Sequence, residues 1–301
     1  MNAHHATFRA AFEISLQSGR TLLLGPRTLV MGIVNVTPDS FAGGVMDPDE
    51  AAAVAMRMEA EGADIVDIGG ESTRPGADDV PEREELSRVI PVIQRLKGRL
   101  TIPISIDTYK AGVAGYAIEA GACIVNDISG LGYDPMLGGV VAQTGAGLVL
   151  MHTRGRSRDM YRDAAYADVL AEVSGELEQA LNRAVASGVS RAQIILDPGI
   201  GFAKRAEHSL ALIAKLWDLA SLGRPLLVGP SRKSCLAEAI GALPPAERDW
   251  GTAAAVTAAV MAGAHIVRVH NVAAMAQVVR VADAIRQQAS AADAAPLDHR
   301  G

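Results

Sequence analysis

The sequence contains few cysteines and few aromatic residues. Its 301 residues include only two cysteines, Cys123 and Cys235, which provide neither a disulfide framework nor the paired spacing of a zinc site. Aromatic residues make up 4% of the chain although 49% of it is hydrophobic. This composition excludes a small disulfide-stapled protein and indicates a core of small and branched aliphatic side chains, as in layered barrels.

Positive net charge and long apolar runs are also absent. The formal net charge of −6 argues against a nucleic-acid surface, although a local cluster of arginines could still bind an anion. Polar or charged residues interrupt each apolar stretch before it reaches the roughly 20 residues of a membrane helix. The N-terminus has no basic region followed by an apolar run. We therefore expect a cytoplasmic protein that does not bind nucleic acid or membranes.

Eight short apolar runs recur along the chain, and each is followed by polar residues. Helical stretches separate the runs, which is the pattern of βαβ units and of a parallel sheet with both faces buried. Eight such units predict an α/β fold, the (β/α)8 or TIM barrel, with its active site at the C-terminal ends of the strands. The runs begin near Thr28, Ala63, Ile102, Cys123, Gly147, Gln193, Pro225 and His265. The polar residues at their ends are Asn35, Glu71, Asp107, Asn126, His152, Asp197, Lys233 and His270.

The chain divides into three predicted segments. Residues 1–27 form an N-terminal extension whose hairpin, from Phe12 to about Thr28, closes the lower end of the barrel. Residues 28–291 form the barrel, and residues 292–301 form a flexible tail. Helix signals predict one helix from Asp47-Pro48 to about Gly62, one from Pro81-Glu82 to about Gly98, and the longest from about Tyr166 to Ser187.

Three polar clusters have the chemistry of a binding site. The loop Glu71-Ser72-Thr73-Arg74-Pro75-Gly76 combines a guanidinium with hydroxyls, which suits an anion, but an ordinary surface turn fits as well. Arg268 and His270 point to one face of the last strand, where either a bound anion or barrel carboxylates would satisfy them. Ser231 to Ser234 could bind a ligand at a helix start or be a plain, solvated helix start.

Two carboxylates, Asp107 and Asp197, end the third and sixth strands, and Lys233 is expected nearby. Such a group can perform acid–base chemistry, bind a metal or recognise a cationic heterocycle. Residue types alone do not choose among these roles.

Eight motifs resemble, in order, those of the bacterial dihydropteroate synthases, and they span nearly the whole predicted barrel. They are MGIVNVTPDSF from Met31, DIGGESTRPG from Asp67, SIDT from Ser105, VNDISG from Val125, MH at Met151, ILDPGIGFAK from Ile195, GPSRKS from Gly229 and RVHNV from Arg268.

The resemblance implies a transferase of folate biosynthesis that is also a sulfonamide target. It would join 6-hydroxymethyl-7,8-dihydropterin pyrophosphate to 4-aminobenzoate, releasing 7,8-dihydropteroate and pyrophosphate, with Mg²⁺ as cofactor and a homodimer as the assembly. The pterin would be bound by Asp107, Asn126, Met151, Asp197, Phe202, Gly229 and Lys233. The pyrophosphate would be bound by Asn35, Thr73, Arg74, Arg268 and His270. The aminobenzoate would be bound by Pro75, Phe202, Ser231 and Lys233.

The resemblance also implies roles in the reaction. Asp107, Asp197, Lys233 and Arg74 are the expected catalytic residues, and Asn35 is the expected metal ligand. If the C–O bond breaks before the amine attacks, positive charge develops on the pterin and negative charge on the pyrophosphate. The two carboxylates would then favour the first charge, and the arginines the second. The loops 37–44 and 72–79 are expected to act as lids that exclude water.

Two other functions fit the same pattern less well. A related pterin-binding barrel that transfers a methyl group to a corrinoid protein would need no pyrophosphate clamp. A catalytically silent paralogue would be free to lose site residues that are intact here. The chain departs from the family at Thr153-Arg154, which begins a segment with four arginines within nine residues (154, 156, 158 and 162) that fits a simply solvated surface. It also departs at Cys235, where a smaller side chain could widen the aminobenzoate pocket and change sulfonamide affinity.

Overall fold

The computed structural model describes residues 9–17, 19–37, 47–74, 76–162 and 164–294. Within these ranges the strands are β1 (Phe12–Ser15), β2 (Thr21–Leu24), β3 (Leu29–Asn35), β4 (Ile65–Gly69), β5 (Ile104–Asp107), β6 (Ile124–Asp127), β7 (Gly147–Met151), β8 (Ile194–Asp197), β9 (Leu227–Val228) and β10 (Ile266–Val269). The helices are α1 (Pro48–Glu61), α2 (Glu82–Leu96), α3 (Ala111–Ala120), α4 (Leu137–Thr144), α5 (Val169–Ala186), α6 (Ala206–Ala214), α7 (Ser234–Ile240), α8 (Asp249–Met261) and α9 (Val272–Ala294). Short 3-10 helices cover Arg191–Gln193, Leu216–Leu222 and Pro245–Glu247.

The strands β3 to β10 form one parallel sheet that closes into a barrel. Their order is β8-β7-β6-β5-β4-β3-β10-β9, so neighbours in the chain are neighbours in the sheet. A parallel bridge between Leu196 and Leu226 joins the two outer strands and completes the ring. The predicted (β/α)8 barrel is therefore confirmed, and every predicted strand start lies within two residues of the observed one.

The N-terminal hairpin closes the lower end of the barrel, as predicted. β1 pairs antiparallel with β2, and the inward side chains of this hairpin are buried among the first residues of the barrel strands. Gly147 makes the close approach possible, because a Cβ atom at this position would lie 3.1 Å from Leu16 Cδ2. The hairpin thus fills the end of the barrel opposite to the strand C-termini.

Helix ends follow the local sequence signals, with one exception. Asp47 caps α1 by accepting hydrogen bonds from the backbone N–H groups of Asp49 and Glu50. The prediction that α5 is the longest helix is wrong, because α9 has 23 residues against 18 for α5. No glycine or proline occurs between Val272 and the end of α9, so nothing in that sequence stops the helix. Residues 295–301 of the predicted tail lie outside the described residues.

The core contains two large layers of apolar side chains and a smaller cluster that includes Met151 and Phe202. Outward-facing strand residues pack against the helices, and inward-facing residues fill the lower half of the barrel. The upper half of the barrel interior is polar, since Asp67, Ser105 and Asn126 are all buried there. No helix in the described ranges is long and apolar enough to cross a membrane.

Candidate active site

A cleft of about 720 Å³ opens at the C-terminal ends of the barrel strands. A narrow cavity of about 20 Å³ lies next to it inside the barrel and shares Asp107, Phe202, Lys233 and Arg268 with the cleft. Together they are lined by all the predicted site residues that the structure describes: Asn35, Thr73, Arg74, Asp107, Asn126, Met151, Asp197, Phe202, Gly229, Ser231, Lys233, Arg268 and His270. Pro75 lies outside the described residues.

Strand alternation explains why these side chains meet. Successive residues of a strand point to opposite faces, so every second residue faces the barrel interior. Asp107 pairs with Asn126 across β5 and β6, and with Gly69 across β4 and β5. Gly69 has no side chain, and a Cβ atom there would lie 3.5 Å from Asp107 Cβ. This glycine leaves room for the functional groups on both sides of it.

Arg268 is bonded to two carboxylates at the centre of the barrel. Its Nε donates to Asp67 Oδ2 at 2.6 Å, and its terminal NH2 group donates to Asp107 Oδ2 at 2.6 Å. Asn126 Nδ2 donates to the same Asp67 oxygen at 2.9 Å. Barrel carboxylates therefore satisfy Arg268, as one of the two alternatives predicted, and the arginine also lines the cleft.

Asp67 is a residue of this network that the sequence reasoning missed. It is fully buried, and its Oδ1 has no hydrogen-bond partner among the described residues. The signal was present in β4, where Ile65, Asp67 and Gly69 alternate toward the interior. A carboxylate at an inward position of an otherwise apolar strand needs a partner, and Arg268 supplies it.

Burial shifts the pKa of the ionisable groups around the narrow cavity. Burial raises the pKa of Asp197 to about 6, although the backbone N–H of Gly199 donates to its Oδ1 at 2.7 Å. Burial also raises the pKa of Asp107, against the opposing effect of Arg268. Burial lowers the pKa of Lys233 to about 8, and the Lys233 ammonium lies 3.8 Å from the centre of the Phe202 ring. Protonation at this site is therefore sensitive to any ligand that replaces water.

His270 and Ser231 form a hydrogen-bonded pair at the side of the cleft. The Ser231 hydroxyl lies 3.0 Å from His270 Nδ1 and accepts from the His270 backbone N–H at 3.2 Å. Burial lowers the pKa of His270 to about 3, so the ring is neutral. If the hydroxyl donates to Nδ1, the ring proton sits on Nε2 and remains available to a ligand.

Arg74 is the half-buried cation of the loop after β4. It lines the cleft, and among the described residues its guanidinium has no hydrogen-bonded acceptor. A guanidinium without a protein partner at the edge of a cleft can form two parallel hydrogen bonds to a phosphate or carboxylate. The loop is held to the segment after β7, because the Gly76 N–H donates to the Ser157 carbonyl oxygen at 2.9 Å. Residues 38–44 of the other predicted lid lie outside the described residues, so the lid hypothesis stays a prediction.

The structure describes Arg154 and Cys235, the two positions at which the chain departs from the family pattern. Arg154 is not a solvated surface arginine, because it is bonded to Glu172 and Glu176 and stacks on the Tyr166 ring at 4.1 Å. Arg158 and Arg162 are exposed. Cys235 is buried in the core and does not line the cleft, so its expected effect on the aminobenzoate pocket has no structural support.

The residues at the cleft could hold a magnesium ion only together with the oxygens of a bound phosphate. No group of three or more His, Cys, Asp or Glu side chains within the described part of the chain could hold a metal. Asn35, at the end of β3, lines the cleft and carries an amide oxygen that can coordinate a metal ion. Magnesium commonly keeps several waters and combines one or two protein oxygens with phosphate oxygens. A single amide beside an anion site matches this donor set.

Comparisons with known proteins agree with one another. A family model described as "Pterin binding enzyme" matches residues 31–270. A dihydropteroate synthase from a Synechocystis species is 49% identical over 277 residues, which cover 91% of this chain and 96% of that protein. A crystal structure of the Yersinia pestis dihydropteroate synthase with a sulfonamide drug has a TM-score of 0.88 at 40% identity, covering 92% of this chain and all of that one. A Xanthomonas albilineans dihydropteroate synthase with 4-aminobenzoic acid has a TM-score of 0.84 at 40% identity, covering 95% of this chain and all of that one.

Proposed function

Because this chain belongs to the pterin-binding enzyme family and, within it, to the dihydropteroate synthases, we propose that the barrel cleft joins a pterin to 4-aminobenzoate. The substrates are 6-hydroxymethyl-7,8-dihydropterin pyrophosphate and 4-aminobenzoate, and the products are 7,8-dihydropteroate and pyrophosphate. The observation that carries the proposal is the meeting of the two carboxylates Asp107 and Asp197 with Arg268 and Lys233 beside an anion-binding rim.

The pterin ring occupies the narrow cavity inside the barrel. Its edge presents a row of hydrogen-bond donors and acceptors, which Asp197 and Asn126 match with a carboxylate and an amide. The cavity measures about 20 Å³, so the ring enters as the Lys233 side chain moves away from the Phe202 ring. Met151 and Gly229 line the same space and supply apolar contact.

The pyrophosphate lies at the rim between Arg74, Thr73 and His270. Arg74 has a guanidinium without a hydrogen-bonded acceptor in the described chain, and His270 has a ring N–H to donate. Arg268 reaches the leaving group by exchanging one of its two carboxylate partners for a phosphate oxygen. Asn35 would hold Mg²⁺, which would neutralise charge on the bound pyrophosphate.

The aminobenzoate occupies the outer part of the cleft. Phe202, Ser231 and Lys233 line this part of the site, together with Pro244, Pro245 and Arg248 from the segment before α8. The two prolines supply a rigid apolar wall for the ring, and Arg248 is a cation for the carboxylate. Because Ser231 is also bonded to His270, the subsites of the two substrates are in direct contact through this pair.

The chemistry is a substitution at the pterin methylene carbon. The C–O bond to the pyrophosphate breaks and its electron pair leaves with the oxygen, and the amine nitrogen then bonds to the carbon and loses a proton. Asp107 and Asp197 stabilise the positive charge that develops on the pterin, while Arg74, Arg268 and His270 stabilise the departing anion. Closing the loops over the cleft excludes water, which would otherwise compete with the amine.

The assembly is a homodimer, formed through α7 and the start of α8. Trp250 is 89% exposed, and Ile240 and Leu243 close by are also exposed. Exposed apolar side chains that cluster in this way occur at protein–protein interfaces. Light scattering on the purified protein tests the assembly, and Trp250→Glu should shift it toward monomer. A cytoplasmic location agrees with two buried free cysteines.

Turnover of the purified protein tests the proposed function. Dihydropterin pyrophosphate, 4-aminobenzoate and Mg²⁺ are incubated with the protein, and dihydropteroate and pyrophosphate are measured together. Both products should appear in equal amounts, and only when aminobenzoate is present. Pterin binding without turnover would contradict the proposal and favour a catalytically silent relative.

A further inference from the structure

A hydrogen-bonded network of polar side chains, formed by Lys204, His152 and Glu176, lies directly behind the cleft. It begins at Lys204, which is only 1% exposed and lines neither cavity. The Lys204 ammonium donates to His152 Nδ1 at 2.8 Å, to the Phe202 carbonyl oxygen at 2.9 Å and lies 3.3 Å from the His152 carbonyl oxygen. A lysine is rarely buried without a specific need for its donors. Here all three donors are directed at two short segments of backbone and one histidine ring.

The hydrogen-bonded network continues from His152 to the outer helix layer. His152 Nε2 lies 2.9 Å from Glu176 Oε2 on α5. Burial lowers the pKa of His152 to about 4, so the ring is neutral. Because Nδ1 accepts from Lys204, the ring proton is on Nε2 and is donated to Glu176. Glu176 also accepts from Arg154.

The hydrogen-bonded network holds the turn after β8. Gly199 has φ +69°, and a Cβ atom there would lie 2.0 Å from the His152 carbonyl oxygen. At the other end of the turn the Tyr166 hydroxyl donates to the Ala203 carbonyl oxygen at 3.0 Å. Between these fixed points the turn presents Phe202, whose ring contacts the Lys233 ammonium in the cleft. The position of Phe202 is therefore set largely by groups that no substrate touches.

We propose that Lys204, His152 and Glu176 are positioning residues for the transfer reaction, which hold Phe202 and the turn 199–204 in the geometry that seats the aminobenzoate ring. This inference rests on the proposed function. Arg154 donates to Glu176 at the outer end of the network, which explains why this arginine is bonded to carboxylates rather than solvated. The network acts through the backbone of the turn, so none of its side chains needs to reach a substrate.

Variants of Glu176 test the inference, because this partly exposed residue can change without creating a buried cavity. Glu176→Ala removes the acceptor for His152 and should raise the KM for 4-aminobenzoate about tenfold, since small misplacements of a substrate wall have large kinetic effects. Glu176→Gln keeps an acceptor oxygen and should restore the KM to within about twofold of wild type. The matched control is Glu178→Ala, an exposed residue on the same helix. Lys204→Met removes the ammonium at similar length, and should affect the KM for aminobenzoate more than that for dihydropterin pyrophosphate.

The outcomes separate this inference from the function on which it rests. A KM for aminobenzoate that rises in Glu176→Ala, returns in Glu176→Gln and is unchanged in Glu178→Ala would support it. Active wild-type protein with equal KM values in Glu176→Ala and Glu178→Ala would overturn the positioning role alone. Wild-type protein that makes no dihydropteroate would overturn the proposed function and this inference with it.

Discussion

The affinity of the barrel for a pterin should depend on pH through Asp197. Burial raises the pKa of this carboxyl to about 6 in the free protein, and a pterin edge that donates hydrogen bonds favours the ionised form. Below this pKa the ligand must first displace a proton. About nine-tenths of Asp197 is protonated at pH 5 but only a few per cent at pH 7.5, so affinity should fall about tenfold, or about 1.4 kcal/mol, over this range.

Titration calorimetry with a pterin between pH 5 and 7.5 measures this dependence. Binding near pH 6 should release protons, which is detected by repeating the titration in buffers with different ionisation enthalpies. Asp197→Asn is the control, because it removes this carboxyl and leaves any proton equilibrium of the ligand. An affinity that stays constant or increases as the pH falls, or equal pH dependence in both proteins, would refute the reasoning.

The raised pKa of Asp197 should also lower the free energy of unfolding of the free protein at neutral pH. A carboxyl whose folded pKa is raised contributes stability below its unfolded pKa near 4, and this contribution is lost as the pH rises to about 6. A shift of about two units corresponds to about 3 kcal/mol, an upper bound for this buried site. Asp197→Asn should therefore raise the free energy of unfolding at pH 7.5 while weakening pterin binding without abolishing it. Denaturant unfolding at pH 4 and pH 7.5 tests the sign, since the gain should disappear at the lower pH.

Three further changes test other parts of the site. Arg74→Ala should lower kcat/KM at least about a hundredfold, because it removes a donor to the leaving group. Arg158→Ala, in an exposed segment, is the control and should have little effect. Equal kinetics in the two variants would place the pyrophosphate elsewhere. Arg268→Ala should lower the free energy of unfolding by about 3–5 kcal/mol, because it leaves Asp67 buried without its charged partner. Adding Asp67→Asn to that variant should recover most of the stability in a denaturant titration but not the turnover, and a double variant as unstable as the single one would show that the pair is not coupled. Gly199→Ala should destabilise the protein by several kcal/mol in the same titration, since its Cβ would lie 2.0 Å from a carbonyl oxygen; wild-type stability would mean that the turn is not fixed as described.

The barrel and the position of its site could be predicted because both depend on short-range patterns. Alternation of apolar runs with helical stretches gives the strands, and the polar residue after each run gives the rim. Asp107 and Asp197 were found in this way because each ends a strand. Asp67 was missed because it lies in the middle of β4, where its meaning depends on Arg268, 201 residues away along the chain.

The partners of buried charges could not be predicted for a related reason. The sequence shows that Arg268 and His270 are two residues apart at the end of the last strand, but only the closed barrel brings Asp67 and Asp107 to the arginine and Ser231 to the histidine. Lys204 likewise looks like the end of a motif until the fold places His152 against it. Which groups pair inside a barrel depends on contacts between distant strands rather than on local spacing.

A crystal structure of the protein with a bound pterin tests the central claim most directly. The ring should lie inside the barrel, bonded to Asn126 and Asp197, with Lys233 displaced from its position over Phe202. Arg268 should keep at least one of its carboxylate partners. A pterin bound outside the barrel, or inside it without contact to Asp197, would contradict the account.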